Sequence, residues 1–151
     1  MLTEDYVSFE TAKLLKEKGF PQEYDHYHAL VYNEEDYEDE YEVQRMVVET
    51  RIVKAGTLSS YPVGVPEPKC YCPTLQMAMK WLREVHKKWI TVTFHWHTIN
   101  GETTLYYSPF IMLDEGEYAV LEDENPFKMK PFNSYEEACE AAIKYCLENL
   151  I

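Results

Sequence analysis

The residues of this chain best suited to chemistry are two pairs of histidines. His95 and His97 lie in Thr91-Val-Thr-Phe-His-Trp-His97, and His26 and His28 lie in Asp25-His-Tyr-His28. Histidines two positions apart on a β-strand emerge on one face, and neutral imidazole is a common ligand for zinc, copper or nickel. His95 and His97 are therefore the candidate metal ligands, with a third ligand to come from the other pair or from an acidic loop. Two ligands do not make a site, and the competing reading is that Thr, His and Tyr populate the wetter face of a sheet. The cysteines add nothing to a metal centre. Cys70-Tyr-Cys72 lacks the C-x-x-C spacing of a zinc or redox loop. Cys139 and Cys146 are seven apart on an expected helix, about 10 Å along its axis, too far to bond each other and suited to a core. No nucleophile elbow, cysteine-protease signature or glycine-rich phosphate loop is present. The sequence thus assigns no catalytic residue and no cofactor, and it points away from an enzyme.

The second candidate is electrostatic. Glu34, Glu35, Asp36, Glu38, Asp39, Glu40 and Glu42 stand within one short run, with Tyr37 and Tyr41 among them. A calcium loop needs a turn glycine and alternating ligands, and this run has no glycine, so an EF-hand is excluded. The remaining readings are a solvated loop extended by its own repulsion or a partner-binding surface. Charge is uneven along the chain: residues 1–50 carry 4 basic and 14 acidic groups, residues 51–100 carry 7 and 2, and residues 101–151 carry 3 and 11, for a net charge of −13. Such a surface repels nucleic acid except near Lys80, Arg83, Lys87 and Lys88, and it steers a basic protein toward either acidic third.

These residues must be positioned by a folded core. A chain of 151 residues with 46% hydrophobic and 15% aromatic content is expected to form one domain spanning residues 1–151. Met1-Leu-Thr-Glu-Asp5 has no basic and apolar regions of a secretory signal, and the longest charge-free apolar stretch, Trp89 to Gly101, is too short to span a bilayer. A cytoplasmic protein with reduced thiols and no membrane partner is expected.

Three segments open alike, at Ser8-Phe-Glu-Thr-Ala12, Thr74-Leu-Gln-Met-Ala78 and Ser134-Tyr-Glu-Glu-Ala138. Each begins with a hydroxyl able to accept from the free N–H groups of a first turn, which predicts three helices, with Glu137 closing a capping box on Ser134. The first helix should run from Phe9 to Lys18, burying Phe9, Ala12 and Leu15, stopped by Gly19 with Phe20 folded back toward Leu15. The second should bury Leu75, Ala78, Leu82 and Val85, and the third Cys139, Ala142, Ile143, Cys146 and Leu150. Ile90, Val92, Phe94 and Trp96 alternate with Thr91, Thr93, His95 and His97, the period of a half-buried strand. Asn100-Gly101 is the preferred type I′ turn. It sets a register in which Trp96 faces Leu105, Phe94 faces Tyr107 and Ile90 faces Ile111 on the buried side, while His95 faces Tyr106 and His97 faces Thr104 on the other. Pro109 marks a bulge or an edge. On the second face, Trp89, Tyr106 and Phe110 are expected to form any exposed apolar patch. A third strand is expected near Tyr118 to Leu121. In the N-terminal half, His28–Tyr32 and Val43–Val53 read as a hairpin with the acidic run at its tip, and Ala55–Lys69 and Asp123–Asn133 as irregular loops.

The helical segments Val7–Phe20, Pro73–His86 and Ser134–Leu147 resemble small uncharacterised acidic proteins of gut bacteria and their phage and mobile elements. The likeness covers the three helices and leaves out the acidic run and the His-x-His strand. It implies an origin and no activity. A looser likeness, in topology alone, joins the helix–meander–helix order of residues 74–150 to double-stranded RNA-binding domains, but Glu136 and Glu137 stand where those domains carry basic residues.

The fold expected is therefore α+β: an antiparallel sheet, from a C-terminal α-β-β-β-α meander plus an N-terminal helix and hairpin, with helices packed on one face. The function expected is that of a non-catalytic accessory protein acting through protein contacts. The alternatives are an acidic mimic of nucleic acid that occupies a DNA-binding protein, and a metal-dependent enzyme built on His95 and His97.

Overall fold

The computed structural model describes residues 5–22, 26–32, 48–54, 67–121 and 131–151. They form a mixed α+β protein, with three α-helices and antiparallel strands in two three-stranded sheets among the described residues. The chain divides into two compact units, residues 8–73 and residues 1–7 with 74–151.

In the unit of residues 8–73, helix α1 (Phe9–Glu17) starts where the Ser8 hydroxyl accepts from the Thr11 N–H at 3.2 Å. It stops as its composition dictates. Gly19 takes φ +88°, the Gly19 N–H donates to the Lys16 carbonyl at 3.1 Å and the Phe20 N–H to the Leu15 carbonyl at 2.9 Å. These are the two bonds of a Schellman cap, and Phe20 and Leu15 are both buried. Thr11 and Ala12 complete the buried stripe, whereas Phe9 is only half-buried, with the Lys13 ammonium 4.8 Å from its ring centroid.

Strand β1 (His26–Tyr32) pairs antiparallel with β2 (Val48–Lys54), from His26 opposite Lys54 to Tyr32 opposite Val48. The acidic run 34–42 lies outside the described residues, as do residues 55–66 and 123–130 of the two expected loops. A third strand, β3 (Glu67–Tyr71), pairs with the other edge of β1 and gives the order β2-β1-β3. The sequence suggested an irregular segment there because Ala55–Lys69 carries Pro62, Pro66 and Pro68 with Gly56 and Gly64. The strand tolerates Pro68 because it lies at the sheet edge and its register with β1 shifts between His28 and Ala29. Helix α1 packs against β3.

In the other unit, Thr74 caps α2 (Leu75–His86) by accepting from the Met77 N–H at 3.2 Å. The N-terminal segment ties in at the same point, with Tyr6 bridging Thr74 and the Leu75 N–H donating to the Asp5 carbonyl at 2.9 Å. Leu75, Ala78 and Leu82 are buried as their spacing predicts, but Val85, one turn further, is exposed. Helix α2 ends at Lys87 in the left-handed region, φ +54°, where no glycine is available. Helix α3 (Tyr135–Asn149) is capped by Ser134, whose hydroxyl accepts from the Glu137 N–H at 3.1 Å; the Glu137 carboxylate in turn accepts from the Asn133 N–H at 3.2 Å. The box therefore closes one residue before the cap. Ala138, Cys139, Ala142, Ile143, Cys146 and Leu147 form its buried stripe.

Helices α2 and α3 pack on each other and on a sheet of order β4-β5-β6, made of β4 (Trp89–Ile99), β5 (Glu102–Met112) and β6 (Tyr118–Val120). The β4–β5 register is the one the turn predicts. Asn100 and Gly101 take φ +52° and +83°, and eleven consecutive pairs run without a shift from Ile99 opposite Glu102 to Trp89 opposite Met112. Pro109 causes no bulge. Tyr107 exchanges two 2.8 Å backbone bonds with Phe132, so its polar groups point away from β4. Backbone direction alternates along a strand, so the nitrogen of Pro109 also points away from β4. That puts it between the Phe132 bridge and the first β6 pair at Phe110, where no ladder bond is required of it.

Candidate functional site

The His-x-His face and its opposite are both built by the β4–β5 hairpin, and chain geometry decides how much of each is covered. Eleven residues of strand extend about 37 Å, whereas fifteen residues of α3 extend about 22 Å and twelve of α2 about 18 Å. Each helix on the sheet is therefore shorter than the hairpin. Near its base the expected side is packed: Ile111 is fully buried and Ile90 and Val92 are half-buried. The cover ends near the start of α3, where the Tyr135 ring meets Tyr107 edge-on with centroids 6.5 Å apart.

Beyond that point the expectation of burial fails. Phe94 is 61% exposed and Trp96 68%, and Leu105, opposite Trp96, is 47% exposed. The parity is as expected and the face is shared with Ile90 and Ile111, but nothing among the described residues reaches far enough to cover it. Phe94 and Trp96 lie beside each other with ring centroids 6.0 Å apart. The apolar patch therefore lies on the side opposite the one expected to carry it, since Tyr106 and Phe110 are half-buried and Trp89 is 38% exposed.

On the histidine side, His95 is half-buried and His97 exposed. The His95 ring stacks on Tyr106 across the strands, with centroids 5.2 Å apart and planes 18° from parallel. Its Nε2 lies 3.1 Å from the Thr93 hydroxyl, which itself donates to the Ser108 carbonyl at 3.2 Å. A hydroxyl has one proton, so with Thr93 donating to Ser108 it is His95 Nε2 that donates to Thr93. The imidazole is thus held by stacking and by a hydrogen bond. Among the described residues no three His, Cys, Asp or Glu side chains are grouped to hold a metal ion. His26 is half-buried on β1 in the other unit, and for His28 only the backbone is described. The Ser108 hydroxyl is buried and has no hydrogen-bond partner among the described residues, so it offers no nucleophile to solvent.

No disulfide joins the four cysteines, and all are buried. Burial pushes the Cys139 thiol up to about 11 and the Cys146 thiol up to about 12, and raises Cys70 more weakly against the opposing effect of Lys16 and Lys13. Thiols held this far from ionisation are poor nucleophiles at neutral pH. Of the basic residues near α2, Lys80 lies 3.9 Å from Glu84 and Lys87 donates to the Glu84 carbonyl at 2.9 Å.

The chain matches no family model, no curated protein and no solved structure. No described helix is long and apolar enough to cross a membrane.

Proposed function

We propose that this chain is a small acidic accessory protein that acts by non-catalytic contact with another protein, through the exposed end of the β4–β5 hairpin. The observation that carries this reading is the pair Phe94 and Trp96, 61% and 68% exposed on a regular, tightly turned hairpin. Aromatic side chains on a rigid element bring large apolar area at little entropic cost, and Trp is enriched among residues that dominate binding energy. A contiguous exposed apolar patch on an otherwise strongly acidic chain is a common mark of an interaction site. The net charge of −13 favours a basic partner. The four buried thiols, none in a disulfide, fit a reducing compartment and support a cytoplasmic location. A phage or mobile-element origin rests on the helical resemblance alone.

The test is co-purification of the full chain from its native host beside two variants, Phe94→Ser with Trp96→Ser, and His95→Ala with His97→Ala. A partner kept by the histidine variant and lost by the aromatic one supports the reading. A partner kept by the aromatic variant and released by raised salt points instead to the acidic nucleic-acid mimic. Stoichiometric zinc or nickel binding that disappears with His95 and His97 would establish the metal-centre alternative.

A further inference from the structure

The outer edge of β4 is a surface distinct from the aromatic face. Because the Tyr107 backbone points to Phe132, that of Ser108 points to β4, and its partner Thr93 points back. Odd-numbered residues of β4 therefore bond to β5, and the N–H and C=O groups of Ile90, Val92, Phe94, Trp96 and Thr98 face outward. β4 is the outer strand of its sheet, and no described residue pairs with that edge.

Edge strands are normally blunted by Lys, Pro, bulges or short length. Trp89–Ile99 has none of these. It contains no Lys, Arg, Asp, Glu, Pro or Gly, and its eleven pairs with β5 run without a bulge. In a chain of net charge −13, the hairpin 89–112 carries a single acid, Glu102. A second copy can therefore approach this strand without the like-charge repulsion it meets elsewhere.

We infer that β4 pairs antiparallel with β4 of a second copy, about a two-fold axis at Phe94, joining two three-stranded sheets into one of six strands. The register follows from the strand itself. Phe94 is the midpoint of Trp89–Ile99 and is one of the outward-facing residues, so full overlap and satisfaction of every outward group coincide. Ile90 then lies opposite Thr98 of the second copy, Val92 opposite Trp96, and Phe94 opposite Phe94, giving about ten hydrogen bonds. Aromatic against β-branched and aromatic against aromatic are favourable cross-strand pairs. The same register brings Lys87 and Lys88 of each copy to the hairpin end that carries Glu102 of the other, a charge match made twice by symmetry. An interface of one strand edge and its flanking side chains is at the small end of stable contacts, which sets the expected dissociation constant in the micromolar range.

Two measurements on the full chain test this: sedimentation equilibrium, and amide hydrogen exchange read by NMR across the same concentration range. At low concentration the odd-numbered β4 amides are protected and the even-numbered ones exchange freely. As the dimer forms, the amides of residues 90, 92, 94, 96 and 98 should slow by about tenfold or more. Phe94→Lys places like charges together at the axis and should raise the dissociation constant by about tenfold or more, with an unchanged far-UV spectrum. If that variant misfolds, Thr98→Pro removes an outward N–H that the monomer does not use. A chain that stays monomeric to millimolar concentration, or a dimer whose even-numbered amides still exchange freely, overturns the inference. Phe94 and Trp96 also flank the paired strands, so Thr98→Pro, which leaves both rings in place, separates the two readings: it should abolish the dimer and leave partner capture by the Phe94 and Trp96 face unchanged.

Discussion

Two ends of one hairpin face differ in everything except their pattern. Ile90 and Ile111 at the base share with Phe94, Trp96 and Leu105 at the far end the same parity, the same unbroken ladder and the same apolar character. Ile111 is fully buried and Trp96 is 68% exposed. Alternation fixes which face a side chain joins, because successive Cβ atoms point to opposite sides of a sheet. Cover is fixed by what lies on that face, and here the strands are longer than the helices. The base of the hairpin is thus core, and its end is a surface made of core-like residues.

The largest expected effect breaks the comparison at its base. Ile111→Ala removes buried methyl groups beneath the helices and should cost about 2–5 kcal/mol, read as a lower urea midpoint at unchanged slope. A loss below about 1 kcal/mol would mean that the base is no better packed than the end.

A pH experiment separates the same two regions by chemistry. Burial raises the Cys139 and Cys146 thiols from near 9 to about 11 and about 12 in the folded state. A raised folded value means that the native state holds its proton more tightly than the unfolded chain. The associated stability is complete below about pH 9 and is lost as pH rises toward 11 and 12. Unfolding followed from pH 8 to 12 should show a steep alkaline loss, flattened in Cys146→Ala. Phe94 and Trp96 contribute no titratable group, so substitutions there should leave the alkaline slope unchanged.

The turn offers a smaller perturbation confined to the far end. Gly101 sits at φ +83°, and Gly101→Ala should cost about 1 kcal/mol through left-handed strain. The loss should fall on the outer rungs. Exchange at His97, Ile99, Glu102 and Thr104, whose amides bond across the hairpin, should quicken, while Ile111 stays protected. Equal loss at both ends would show that the hairpin opens as one cooperative piece.

Local grammar made much of this legible. Three hydroxyl caps, the Gly19 stop, the Asn100-Gly101 turn and the whole β4–β5 register are short-range consequences of side-chain hydrogen bonding, positive φ and period-two alternation. What could not be read depends on elements distant in sequence. β3 was hidden because Pro68 is compatible with a strand only at an edge, and edge status is a property of the assembled sheet. The exposure of Phe94 and Trp96 was hidden for a related reason, since an apolar alternating strand is buried only as far as something covers it. One clue was present: each strand of the hairpin, at eleven residues, is longer than either helix beside it, so full cover depends on how the helices are placed along it. The His95 environment shows the same division. Its pairing with Tyr106 follows from register, while its bond to Thr93 depends on rotamers that sequence does not specify.

The smallest expected effect is the most telling. If Trp96 and Phe94 belong to a surface, then Phe94→Ser with Trp96→Ser, assayed at high dilution, should change the unfolding free energy by no more than about 0.5 kcal/mol each, the range of ordinary surface substitutions. Two aromatics lost from a core would instead cost several kcal/mol apiece. A small loss would show that the fold does not need these rings, which leaves contact with another molecule as the role for so much exposed aromatic area. A large loss would place both rings inside the core of the folded chain, and the distinction between the two ends of the hairpin would disappear.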